Sequence, residues 1–198
     1  MERGRGTEPD AMSGYCLIAP GHPVHHHYHE NEYGFPMKDE RDLLERMALE
    51  IMQAGLSWET VLKKRKAMLK AFHRFNVNKV AAYKAADIKR LLNDAGIIRN
   101  RLKVLAIIEN AKRLQKLRKT HGGFDKFIAT QHPLTKKEWT KLFKKEFKFM
   151  GGEIVNSFLM SIGYLPGAHG DKCPVYRHLK KEYDLPWLVA QKKGFKYA

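Results

Sequence analysis

Two cysteines stand near opposite ends of this 198-residue chain. Cys173 follows His169 by four positions in "AHGDKC". Cys16 lies just ahead of "HPVHHHYH", which holds His22, His25, His26, His27 and His29. Thiolate and imidazole are the preferred ligands of structural zinc, usually four in a tetrahedron. His169 and Cys173 have a workable spacing for half of such a site, and Cys16 with one of the five histidines would supply the rest. A Cys2His2 set assembled this way ties the two ends together, and ion binding offsets the cost of closing so long a loop. Spacing alone leaves the bland alternative open, two unrelated buried cysteines and a histidine-rich loop, because the pattern is looser than a double C-x-x-C.

The elements that must position these residues read as helices. "DERDLLERMALEIMQAG" (39–55) carries Leu43, Leu44, Met47, Ala48, Ile51 and Met52 at amphipathic spacing, with Asp39 as N-cap and Gly55 as terminator. Ser57 is placed to cap "WETVLKKRKAMLKAFHRF". Short helices are predicted at about 78–84 and 87–94, and a long one at about 99–118. Others follow at roughly 136–147, 151–163, 174–183 and 186–193. Alternating β-branched runs are absent, so the expected class is all-α. "MERGRGTEPDAMSG" reads as a mobile tail over 1–14, with no apolar signal segment, and 15–198 as one compact unit.

Charge is the strongest global feature. Lys and Arg number 37 against 21 Asp and Glu, a net +16, and the excess is clustered in "KKRK", "RNRLK", "KRLQKLRK" and "KKEFK". Such a field favours nucleic acid over a solvated basic face. A membrane partner is not expected, since no apolar run is long enough to span and no helix pairs a basic face with a continuous apolar one. The chain is therefore read as cytoplasmic, where a disulfide between distant cysteines would be unusual.

Within "DIKRLLNDAGIIRNRLKVLAIIENAKRL" a helix, a tight turn at Gly96 and a second helix follow in succession. A glycine there permits positive φ and close backbone approach. The second helix offers free amide groups to an anion, with Arg99, Asn100, Arg101 and Lys103 alongside. This is how a hairpin between helices grips a DNA backbone without reading sequence. An ordinary αα-hairpin with a glycine C-cap fits equally well.

Four stretches, "YHENEYGFP", "LEIMQAGLSWETVLKKR", "NDAGIIRNRLKV" and "FKFMG", occur in that order. Together they resemble the bacterial 3-methyladenine DNA glycosylase I family, from about Cys16 to Cys173. The resemblance implies an all-helical helix-hairpin-helix glycosylase fold in which a zinc ion joins N- and C-terminal segments. It implies a hairpin lobe over about 50–150, and a zinc-tied lobe from 15–49 plus 151–185. The implied zinc ligands are Cys16, His29, His169 and Cys173. The implied base pocket falls on Glu50, Tyr28 and Trp58, with Tyr33 standing where the family commonly has tryptophan. Two further departures are Ile18, where an aromatic is usual, and Glu146, where glycine is.

The implied activity is extrusion and hydrolytic excision of 3-methyladenine, with 3-methylguanine as a second substrate, from alkylated double-stranded DNA by a monomeric, nucleoid-associated enzyme. Glu50 would recognise the base and aid its departure electrostatically. Leu56, in "GLSW", would fill the vacated stack, while Gly96, Arg99, Arg101 and Lys103 hold phosphates. No aspartate lies between Asp94 and Asp125, where many hairpin glycosylases carry a catalytic one, so a monofunctional reaction without a lyase step is expected. The competing class is a non-catalytic, zinc-stabilised DNA-binding protein on the same scaffold.

Overall fold

The computed structural model describes residues 14–197. Among them the secondary structure is twelve α-helices, one 3-10 turn (His73–Phe75) and no strand. Two one-turn helices, α1 (Gly14–Ile18) and α2 (His26–Asn31), open the chain, followed by α3 (Glu40–Gln53) and α4 (Trp58–Ala71). Next come α5 (Val77–Ala81), α6 (Ala85–Asn93), α7 (Arg101–His121), α8 (Phe124–Gln131) and α9 (Lys136–Glu146). The chain closes with α10 (Gly152–Ser161), α11 (Pro174–Glu182) and α12 (Pro186–Lys192). Helices α1, α2 and α8 were not foreseen: the first two are single turns inside the glycine-, proline- and histidine-rich opening, and α8 lies between the "HGG" and "HPLT" breaks, which read as loop. Gly14, assigned to the tail, begins α1; the rest of that segment, 1–13, lies outside the described residues.

Helix α3 starts where the sequence says. The Asp39 carboxylate accepts from the backbone N–H of Arg41 at 2.9 Å and of Asp42 at 3.2 Å, and Glu40 and Asp42 complement the positive helix start. Its surroundings differ from the expected half-buried helix. Every residue from Leu43 to Met52 is buried, because α4, α7, α8 and α10 all pack on it. Glu45, Arg46 and Glu50 are consequently interior charges.

Gly55 then turns the chain at φ +78°, with open space where a Cβ would stand. Its role is conformational, and any other residue would be strained there. The Ser57 hydroxyl accepts from Thr60 N–H at 3.2 Å, which fixes Trp58 as the first residue of α4.

The α6–α7 hairpin corrects two expectations. Gly96 is not among the positive-φ residues; a Cβ there would meet Ala67 Cβ at 3.1 Å, so the glycine serves close packing of the turn on α4. Lys64 reinforces that contact by donating to the Ala95 carbonyl at 3.0 Å. Arg99 and Arg101 are exposed, but Lys103 is only 5% exposed. Its ammonium donates to the carbonyls of Met52, at 2.9 Å, and Ala54 at the end of α3. Lys103 therefore satisfies a helix C-terminus and is withdrawn from any phosphate.

The main core draws on residues from Leu43 to Leu165. A smaller one joins Cys16 to Cys173, Val175, Leu179, Leu185 and Trp187, so the two chain ends share apolar surface of their own. Replacing Lys103 with methionine leaves two inward-facing carbonyls without their donor. Urea denaturation should show a loss of about 1–3 kcal/mol, whereas Arg101→Met should change stability by no more than about 0.5 kcal/mol. Equal stability of Lys103→Met and the parent would contradict the inward role.

Candidate functional site

A cavity of about 170 Å³ is lined by Tyr15, Tyr28, Tyr33, Glu50, Gln53, Trp58 and Ser157. It is assembled from the first residues of the chain's helical part, the last turn of α3, the start of α4 and the middle of α10. Four residues singled out in the sequence, Glu50, Tyr28, Tyr33 and Trp58, thus converge on one hollow. Tyr28 meets the Trp58 ring edge-on at 5.0 Å between centroids, and lies 5.6 Å from Tyr33 at a 30° tilt. Tyr15 meets Tyr33 at 5.6 Å and 87°. The result is an aromatic wall around a single acid.

That acid is unusual. Glu50 is 4% exposed, and among the described residues no group donates a hydrogen bond to its carboxylate. Burial penalises the charged form and pushes its pKa up to about 7, with Arg46 pulling weakly the other way. The remaining interior charges of this region are matched. Arg46 donates to the Tyr28 hydroxyl at 2.7 Å and to Glu32 at 3.0 Å, and its guanidinium lies 4.6 Å from the Tyr28 ring centre. Arg65 bridges Glu32 and Glu45, both at 2.7 Å. Because the Tyr28 oxygen already accepts from Arg46, its own proton is left for another partner. Burial holds Tyr28 and Tyr33 well above the usual tyrosine range. It raises Tyr15 to about 12 against the opposing hydrogen bond from Trp58. All three are neutral hydroxyls at ordinary pH.

Beside the cavity, Cys16, His29, His169 and Cys173 are all buried and bring their donor atoms within 4.8 Å of one another, a set able to hold a metal ion. His169 Nδ1 lies 3.6 Å from both sulfurs, and His29 Nε2 lies 3.8 Å from Cys173 Sγ. The other ring nitrogen of each histidine is tied. His29 Nδ1 donates to Glu30 at 2.7 Å, and His169 Nε2 donates to the Tyr33 carbonyl at 2.7 Å. This orients both rings with their free lone pairs toward the sulfurs. Gly34 makes the approach possible: at φ +81°, a Cβ there would lie 3.0 Å from Ala168 Cβ and 3.3 Å from the His169 ring.

The histidine run offers one competing set, His22, His25 and Glu59, also within 4.8 Å. His22 Nδ1, however, accepts from Val24 N–H at 3.1 Å and His25 N–H at 3.3 Å. Its proton must then sit on Nε2, which leaves neither nitrogen free for a metal. His29 is the imidazole of the run that reaches the cysteines.

Three lining residues escaped the sequence reading. Tyr15 directly precedes Cys16 and lines the cavity, whereas Ile18 is 60% exposed. Gln53 lies one turn beyond Glu50 on α3, a spacing that could have flagged it. Ser157 sits on α10 with no sequence mark to distinguish it.

Stability should report the buried acid. A carboxyl whose folded pKa lies above its unfolded value binds more protons when folded. Its contribution is therefore complete below the unfolded value near 4.5 and is lost as pH rises toward about 7. Unfolding free energies of Glu50→Gln relative to the parent, measured from pH 5 to 8, should drift in the variant's favour by on the order of 3 kcal/mol and then level. A pH-independent difference would contradict this assignment.

Comparison with known proteins places this arrangement. The methyladenine glycosylase family profile matches residues 18–141. The DNA-3-methyladenine glycosylase 1 of Escherichia coli K12 is 38% identical over 160 residues, covering 71% of this chain and 86% of the relative. The Haemophilus influenzae DNA-3-methyladenine glycosylase is 36% identical over 182 residues, covering 82% and 98%. A tyrosine-to-phenylalanine variant of a 3-methyladenine DNA glycosylase I, solved in complex with 3-methyladenine, superposes with a TM-score of 0.73 at 33% identity, over 81% of this chain and 96% of that one. With an all-helical fold and most of its length shared with these proteins, the chain belongs to the methyladenine glycosylase family.

Proposed function

We propose that this protein is a monofunctional DNA repair N-glycosylase that extrudes 3-methyladenine from alkylated duplex DNA and hydrolyses its glycosidic bond. The observation that carries the reading is the buried Glu50 carboxylate, enclosed by tyrosine and tryptophan rings and left without a hydrogen-bond donor among the described residues. A methylated adenine brings what the cavity lacks. Its nitrogen-bound hydrogens can satisfy the acid, and its delocalised positive charge favours both a carboxylate and aromatic faces. The free Tyr28 proton is available to an acceptor on the same base.

N3-methylation already makes the base a good leaving group, so the protein's work is extrusion and charge placement. Extrusion costs a few kcal/mol, least where the lesion pairs poorly. Glu50 recognises the extruded base and stabilises the positive charge shared between base and sugar as the bond lengthens; water attacks the sugar carbon. Leu56, 42% exposed on the turn set by Gly55, fills the vacated stack. Arg99 and Arg101, with the amides opening α7, meet phosphates; Lys103 takes no part. 3-Methylguanine is the second substrate to test. A monomer acting on chromosomal DNA in the bacterial cytoplasm fits the reading, and among the described residues no helix is long and apolar enough to cross a membrane.

Zinc is the ion we assign to the Cys/His set. Zn–S near 2.3 Å and Zn–N near 2.0–2.1 Å place sulfur and nitrogen about 3.6 Å apart in a tetrahedron, against the 3.6–3.8 Å between these donors. All four protein ligands are present, so the ion would serve structure and hold the chain ends together.

Chromatography of bases released from methylated duplex DNA tests the central reading. The parent should release 3-methyladenine, and Glu50→Gln should lower kcat/KM about ten- to hundredfold. No release by the parent would favour the non-catalytic DNA-binding alternative, and full activity in the variant would remove Glu50 from the mechanism. Elemental analysis should find one zinc per chain. Stripping it should lower Tm by about 10 °C, the shift expected for a loss of a few kcal/mol at this chain length. A metal-free protein of unchanged Tm would contradict the zinc assignment.

A further inference from the structure

We infer that Phe149 is a second DNA-inserting side chain, acting on the strand opposite the lesion; this rests on the glycosylase reading above. Phe149 has φ +62°, a conformation that bulky residues rarely adopt and that glycine or asparagine normally occupies. Yet it is 40% exposed and is not part of the buried core, so a large ring is kept at a strained position where much of it faces solvent. Strain held at an exposed aromatic points toward a function outside the protein.

The neighbouring structure forces that conformation. Phe147 and Met150, on either side, are buried. Between them, fully buried Asn110 clamps the Lys148 peptide from both directions. Its Oδ1 accepts from Lys148 N–H at 2.7 Å, and its Nδ2 donates to the Lys148 carbonyl at 3.0 Å. Arg113 adds a bond to the Glu146 carbonyl at 2.7 Å. With its flanks pinned, the segment can only project Phe149 outward.

The direction matters. The aromatic cavity opens into a trough lined by Leu56, Glu153 and Ile154, sharing Glu50, Gln53 and Ser157 with it. Ile154 also borders the adjoining hollow of Phe149, Lys144 and Lys148. Ile154 thus links the lip of the base pocket, beside Leu56, to the hollow bordered by Phe149 and two lysines. Glu153 in the trough is paired with Lys136 at 3.2 Å, and the Phe149 end is bordered by Lys144 and Lys148 with no acid. Apolar side chains beside lysines suit a kinked duplex, with phosphates on the lysines and apolar side chains between unstacked bases. Leu56 lies beside the cavity and takes the space of the extruded base. Phe149, at the far end, is left to stack on that base's orphaned partner.

The test uses duplexes carrying a stable abasic-site analogue, with 2-aminopurine placed either opposite it or three base pairs away. The parent should alter fluorescence at the opposite position only, and Phe149→Ala should abolish that change. The variant should also weaken duplex binding and excision about tenfold or more, while free 3-methyladenine binds as tightly as to the parent. Phe149→Tyr should restore the signal. Phe149→Gly removes both ring and strain, so it should lose the signal with Tm equal to or above the parent's. That result separates a DNA role from a folding role. A parent-like signal and excision rate in Phe149→Ala would overturn the inference while leaving the glycosylase reading intact. A parent protein that excises nothing would overturn both.

Discussion

A carboxyl group drawn almost wholly out of bulk water, with no donor among the described residues, is costly, and Glu50 bears that cost at the wall of the aromatic cavity. Helix α3 carries the acid on its last turn and is enclosed on every side, so its position is set by packing rather than by the site's own contacts. The other buried charges nearby cancel through the Tyr28–Arg46–Glu32–Arg65–Glu45 chain. Their pairing leaves Glu50 as the carboxylate whose demand is met from outside. An apolar guest would leave that demand unmet, whereas a guest rich in donors would answer it. In the proposed function, selectivity for a charged, alkylated purine rests on this asymmetry between paired and unpaired groups.

The walls of the cavity are tied to the Cys/His cluster by the chain itself. Tyr15 precedes Cys16, Tyr28 precedes His29, and the Tyr33 carbonyl accepts from His169. Three tyrosines from an irregular N-terminal segment are thereby pinned by residues that also gather the C-terminal segment into the small apolar core. Two one-turn helices could not hold these rings by their own stability. An ion at the cluster would act as the missing strut, and loss of the ion would be felt as loosening of the aromatic wall.

Much of this was legible in the sequence, and the failures have specific causes. Caps at Asp39 and Ser57 were readable because capping is local chemistry. The convergence of Cys16, His29, His169 and Cys173 followed from residue types together with the family resemblance, but the geometry that excludes His22 needed backbone N–H positions. Glu50 was marked as a pocket residue through the family resemblance, though the full enclosure of α3 depends on helices distant in sequence. Lys103 was misread because "RNRLK" looks like a uniform basic surface. Its register with Ile107, Asn110 and Leu114, all buried on α7, was the overlooked sign. Gly96 was misread for a related reason, since a glycine that admits positive φ equally admits close packing, and only the neighbour on α4 decides between them.

The central claim is that Glu50 is a desolvated acid awaiting a donor-rich base. Carbon-13 NMR titration of its side-chain carboxyl tests this most directly. The account predicts a midpoint near 7 in the free protein, falling when 3-methyladenine occupies the cavity and its hydrogens stabilise the carboxylate. A midpoint near 4.5 in the free protein, unmoved by the base, would contradict it.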